Sequence, residues 1–135
     1  MKGSHEFVTK KAIESLTAKL KLPVDREYQD WEVEIANSSR VGEFVSFYES
    51  AKLSQEEKFA LMSLIISSFD DALSEGNVEE GIWDKIKRFL IHNIDLHRKT
   101  ILYWSLVDRE LDDCFFVTQF MRELFENGNF RKKDM

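Results

Sequence analysis

Cysteine is almost absent from this chain: Cys114 is the only one among 135 residues. An intramolecular disulfide is therefore excluded, and a reducing cytoplasm is the expected setting. Proline is also single, at Pro23, and there are only five glycines. So few chain breakers argue against a turn-rich β fold and against any Pro- or Gly-rich linker. Long apolar runs are missing too. The longest, FALMSLIISSF at 59–69, is well short of the roughly 20 residues a membrane-spanning helix needs. No membrane association is expected. The start shows no apolar centre followed by a small-residue cleavage site, so no secretion signal is expected. Its first seven residues, MKGSHEF, have the Gly-Ser and Glu-Phe pairs that cloning sites encode. Residues 1–7 are accordingly expected to be a cloning leader, and residues 8–135 one helical domain with a basic tail frayed from about 129. His92 and His97 are then the only native histidines.

What is present points to a globular core. Hydrophobic residues make up 43% and charged residues 33%, a balance typical of folded domains and not of disordered chains. A chain of this length buries roughly two thirds of its unfolded surface, enough for one self-supporting domain. The net charge is −6, unevenly spread. Residues 1–21 carry +3 and residues 131–134 carry +2, which leaves −11 for 22–130. Such a body repels phosphate backbones, so nucleic acid is not expected as a partner.

Helical spacing dominates the pattern. Ile13, Leu16 and Leu20 define a first helix that ends before Pro23. Tyr28, Trp31 and Ile35 keep the same spacing, although Trp31, Val33 and Ile35 also alternate as a strand would; helix is preferred because a lone strand has no partner. Val41, Phe44, Val45 and Tyr48 mark another helix, started at Ser38 or Ser39. Ser54-Gln55-Glu56-Glu57 is a capping box opening a helix apolar on nearly all sides, with Gly76 as its left-handed end. Asn77 is a cap-like start for a helix carrying Ile82, Trp83, Ile86, Phe89 and Leu90 to about His92. Thr118 is a candidate cap for a last helix carrying Phe120, Met121, Leu124 and Phe125, closed by Gly128. Asp25 and Asp108 or Asp112 are further candidate starts. The expected fold is an all-α, compact single-domain bundle of about six or seven helices.

The segment HNIDLH, 92–97, has the densest set of candidate ligands. Zinc wants three or four ligands, and no Cys pair or HExxH accompanies these histidines. A di-iron bundle wants Glu three residues before His, where this chain has Phe89 and Ile94. No metal and no cofactor are expected. A helix corner is the better account: His92 in a last turn, Asn93 left-handed after it, and Asp95 capping the next segment.

Carboxylates cluster twice. Asp70, Asp71, Glu75, Glu79, Glu80 and Asp84 have no positive residue between them in the chain, and Asp108, Glu110, Asp112 and Asp113 have only Arg109. Paired acids can do proton transfer or hold Mg²⁺, but acids flanking helix starts are more simply solvated, or else face a basic partner. Asp112 and Asp113 also raise the pKa of a neighbouring thiol, so Cys114 is expected to be structural and not a nucleophile. The aromatic residues Trp31, Trp83, Tyr103, Trp104, Phe115, Phe116 and Phe120 exceed what a small core needs. Tyr103-Trp104 and Phe115-Phe116 are adjacent, and neighbours on a helix point about 100° apart, so one of each pair is a candidate for a cleft or an interface. Neither a phosphate-binding glycine loop nor a serine nucleophile elbow occurs.

The segment TILYWSLVDRELDDCFFVTQFMREL, 100–124, resembles the C-terminal part of small uncharacterised bacterial proteins. The chain as a whole resembles the short proteins carried on mobile gene cassettes such as those of integrons. The resemblance implies a bacterial, cytoplasmic origin and carries over no catalytic or binding residue.

The expected function is therefore non-catalytic: an acidic, immunity- or inhibitor-like protein that binds another macromolecule, with Asp70, Asp71, Glu79, Glu80, Asp112 and Asp113 as candidate contacts. A homodimer burying the spare aromatics is a further expectation. The alternative is a small-molecule bundle with Trp83, Tyr103 and Trp104, and with them Phe115, lining an apolar pocket. An enzyme using the clustered carboxylates is the third.

Overall fold

The computed structural model describes residues 8–23, 31–105 and 115–126, with residues 125 and 126 described by backbone alone. Seven α-helices and no strand occur among the described residues: α1 (Lys10–Leu20), α2 (Trp31–Glu34), α3 (Val41–Ser50), α4 (Gln55–Glu75), α5 (Ile82–His92), α6 (Ile94–Ser105) and α7 (Thr118–Glu126). A 3₁₀ turn, Ser38–Arg40, leads into α3. The chain is all-α, and no described helix is long and apolar enough to cross a membrane.

The long helix α4 is the centre of the bundle. Every residue from Phe59 to Phe69 is buried, because α1, α2, α3, the 3₁₀ turn and α6 all pack against it. A helix apolar on all sides has no stable place except inside. Its start is secured as the sequence suggests. Ser54 Oγ accepts from the Glu57 N–H at 3.1 Å, and Glu57 Oε1 accepts from the Ser54 N–H at 2.9 Å. Ser54→Ala removes one half of this box and is expected to cost about 1 kcal/mol in chemical denaturation. An unchanged midpoint would show that the box is redundant. At the other end Gly76 adopts φ 70°, the left-handed geometry that glycine accepts without penalty.

The segment with two readings is resolved by burial. Trp31 is 0% and Ile35 7% exposed, whereas Val33 is 54% exposed. A strand would put all three on one face; helical spacing puts Val33 outside. Tyr28 lies outside the described residues.

Several expected boundaries are corrected. α1 stops at Leu20, before Pro23 acts, because Lys21 turns left-handed at φ 55° and its N–H bonds Thr17 O. The first helical turn at Ser38 is 3₁₀, capped by Asn37, whose Oδ1 accepts from Ser39 N–H at 2.9 Å. Asn77 does not cap α5; Gly81 precedes that helix at φ 83° with no side-chain cap. Thr118 is the first residue of α7 and not its cap; Asp70 Oδ1 takes the Val117 N–H instead, at 2.9 Å. The expected starts at Asp25, Asp108 and Asp112 and the stop at Gly128 lie outside the described residues.

Candidate functional site

The HNIDLH stretch is a corner between α5 and α6, built differently from the expectation. Asn93 sits at φ −115°, ψ 45°, not left-handed. Asp95 lies in the first turn of α6 and accepts from Arg98 at 2.8 Å. His92 is exposed, whereas His97 is fully buried. Its Nε2 is 2.8 Å from Tyr48 Oη, and Asn93 Nδ2 donates to that same oxygen at 3.2 Å. With its oxygen accepting from Asn93, the Tyr48 hydroxyl donates its proton to Nε2, which places the imidazole proton on Nδ1. Nδ1 finds no hydrogen-bond partner among the described residues. Burial, and then the Lys58 charge, push His97 down to about 3. Burial raises the Tyr48 phenol to about 12. Neither group exchanges a proton near neutrality, so the trio ties α3 to the corner and is no acid–base pair at pH 7.

A second polar group joins α1 to the start of α4. Glu57 Oε2 accepts from Lys19 Nζ at 2.8 Å and from the Ser15 hydroxyl. Burial by itself raises the Glu57 carboxyl, but the bonds from Lys19, Ser15 and the Ser54 N–H together outweigh it and hold the group down at about 2. A carboxylate so depressed is too weak a base to activate Ser15, and Lys19 is engaged by the same oxygen. These residues clamp two helices. Sequence spacing gave no sign of them, because 42 residues separate Ser15 from Glu57.

The expected aromatic contacts fall into two clusters. Trp83 stacks on Phe69 at 6.0 Å and 7°, and Phe120 closes on both at 5.6 and 5.2 Å. Trp104 packs on Phe115 at 4.4 Å, with Tyr103 against both. No ring contact joins Trp83 to Tyr103 or Trp104 among the described residues, so the three are not gathered around one space. Within each adjacent pair one ring turns outward: Tyr103 is 58% and Phe116 59% exposed, while Trp104 is buried and Phe115 half-buried.

The acidic residues separate by role. Asp70 is half-buried at the start of α7, where it accepts the Val117 N–H; burial raises its carboxyl despite that bond. Through that bond it joins the end of α4 to the start of α7. Asp71, Glu75, Glu79, Glu80 and Asp84 are all exposed, across the end of α4, the 76–81 turn and the first turn of α5. None of the ion pairs among the described residues involves them. Asp71 is raised by partial burial and by the neighbouring Glu75 charge. Asp112 and Asp113 lie outside the described residues, as does Cys114.

No family model matches the chain, no curated protein matches it, and no solved structure matches it. Its chemistry is therefore read from its own residues. Among the described residues no group of three or more His, Cys, Asp or Glu side chains converges as metal ligands do. What the described surface does offer is a set of exposed carboxylates from Asp71 to Asp84 with no basic residue between them in the chain.

Proposed function

We propose that this chain is a non-catalytic interaction protein, of bacterial and cytoplasmic origin, that binds a basic macromolecule in the manner of an immunity or inhibitor protein. The contact surface is the acidic end formed by Asp71, Glu75, Glu79, Glu80 and Asp84. One observation carries the proposal: these five carboxylates are exposed together and form no ion pair within the described residues. Like charges held side by side oppose folding, and the Glu75 charge adds to partial burial in raising Asp71. A basic partner relieves that repulsion, and the same field speeds encounter.

Immobilised protein and a variant carrying Glu75→Gln, Glu79→Gln, Glu80→Gln and Asp84→Asn are compared for capture from host lysate. The native chain is expected to retain a basic protein at about 50 mM salt and to release it by about 500 mM, where the screening length shrinks several-fold. The neutralised variant should retain little. Capture that is unaffected by salt and by neutralisation would remove the electrostatic basis of the proposal.

A further inference from the structure

Within the acidic end there is a cleft of about 220 Å³. Its walls are the 3₁₀ turn with the first turn of α3 on one side, and the end of α4 with the turn before α5 on the other. Buried apolar side chains, Val41, Phe69, Ala72 and Ile82, form the floor. Ser38, Ser39, Gly42, Asn77, Val78 and Glu79 complete the lining, and Glu79 is its one charged residue among the described residues. A Cβ placed on Gly42 would stand 2.7 Å from Glu79 Oε1, so the carboxylate lies against the bare backbone of α3. Gly42 has no positive φ, so its backbone does not require glycine; the missing side chain leaves room for the carboxylate. That carboxylate has no hydrogen-bond or ion-pair partner among the described residues. Glu75 reaches the same lining by accepting from Ser38 Oγ at 2.7 Å.

We propose that this cleft receives an arginine side chain of the basic partner, with its stem over the apolar floor and its guanidinium on Glu79. The inference rests on the basic-partner function proposed above and names the anchor point of that contact. An arginine suits both parts of the cleft. Its methylene stem favours apolar cover, and its planar cation presents paired N–H groups that match a carboxylate. An anion is repelled by Glu75 and Glu79, and a wholly apolar group would desolvate Glu79 without compensation. Lysine supplies stem and charge but no fork, so it binds here less well.

The test uses the full chain labelled with ¹⁵N, titrated at low salt with N-acetyl-arginine amide, N-acetyl-lysine amide and decalysine, and read by amide shifts. The arginine probe is expected to give saturable shifts centred on Ser38, Gly42, Asn77 and Val78, and to bind more tightly than the lysine probe. Glu79→Gln should weaken it about tenfold or more, the loss of a charge-assisted pair. Gly42→Leu fills the cleft and should abolish those shifts. Glu49→Gln, exposed at the far end of α3 and outside the acidic end, should change binding by less than about twofold. Thermal melts confirm that the variants fold; if Gly42→Leu does not, the isosteric change at exposed Glu79 decides alone. Equal weakening by Glu79→Gln and Glu49→Gln, or a lysine probe that binds as well as arginine, overturns the arginine pocket. If decalysine still shifts the acidic end in that event, the proposed function stands without it. Silence toward all three probes overturns both.

Discussion

Acidification from pH 6.5 to pH 4.5 is expected to lower the unfolding free energy by about 2 to 3 kcal/mol through His97 alone. The sign is set by where the proton is bound. The unfolded chain takes up a proton near the ordinary histidine value of 6.5, whereas folded His97 does so only at about 3. Between those values the unfolded state holds the extra proton, so stability is complete above the first and declines toward the second. Geometry explains the resistance. A protonated ring would carry a charge in full burial, would lose the lone pair that accepts from Tyr48, and would face Lys58 from α4. α3 faces it with Tyr48, which Phe89 of α5 and Asn93 at the corner contact in turn, and none of the three is anionic at neutral pH.

His97→Gln keeps a neutral acceptor for the Tyr48 hydroxyl and has nothing to titrate. Urea unfolding of both proteins across this range isolates the effect. The raised Asp70 and Asp71 act in the opposite sense in acid, but they are common to both proteins and cancel in the difference. Glu57 enters lower down. Its pairing contributes above the ordinary 4.5 and is lost as pH falls toward about 2. Parallel stability curves for the native chain and His97→Gln would refute the assignment.

Phe69→Ala is expected to cost about 3 to 5 kcal/mol, the largest effect of any single change considered. Phe69 is 1% exposed, stacks on Trp83 of α5 and meets Phe120 of α7 edge-on. Its removal takes away a buried ring and leaves a cavity where three helices meet. Trp83, half-buried against it, should then show red-shifted fluorescence. Phe69 also floors the arginine cleft, so any folded variant should lose the fine amide shifts along with stability. Tyr103→Ala is the comparison: an outward ring, expected to change stability by no more than about 0.5 kcal/mol. A Phe69→Ala cost near that of Tyr103→Ala would show that α5 and α7 dock by other contacts.

Much of the fold was legible because it rests on local signals. The capping box at Ser54 and the glycine stop at Gly76 bond residues three to five apart, and both occur as read. α6 was harder to read for a definite reason. Its inward stripe is His97, Thr100, Ile101, Trp104 and Ser105, correct in spacing but mostly polar or amphipathic. A hydrophobic pattern cannot reveal a buried face built largely of polar side chains. Ser105 Oγ bonds back to Ile101 O at 2.6 Å, and His97 depends on Tyr48. Likewise Thr118 looked like a cap because of its type, yet the cap came from Asp70, 47 positions away from the N–H it accepts.

Local pattern was enough to set the class of this protein: helical periodicity, few breakers and one capping box admit an all-α bundle around the 55–75 helix, and an acidic body sets the sign of its surface. These depend on neighbours within a turn or two and on summed charge. Which polar residues work inside and which face out was a matter for packing in three dimensions. Packing paired His97 with Tyr48, turned Glu57 onto Ser15 and Lys19, committed Asp70 to the start of α7, and laid Glu79 against Gly42. Each contact needs chain segments brought together from tens of residues apart, and whether a carboxylate or an imidazole is structural or available is fixed by what surrounds it in space.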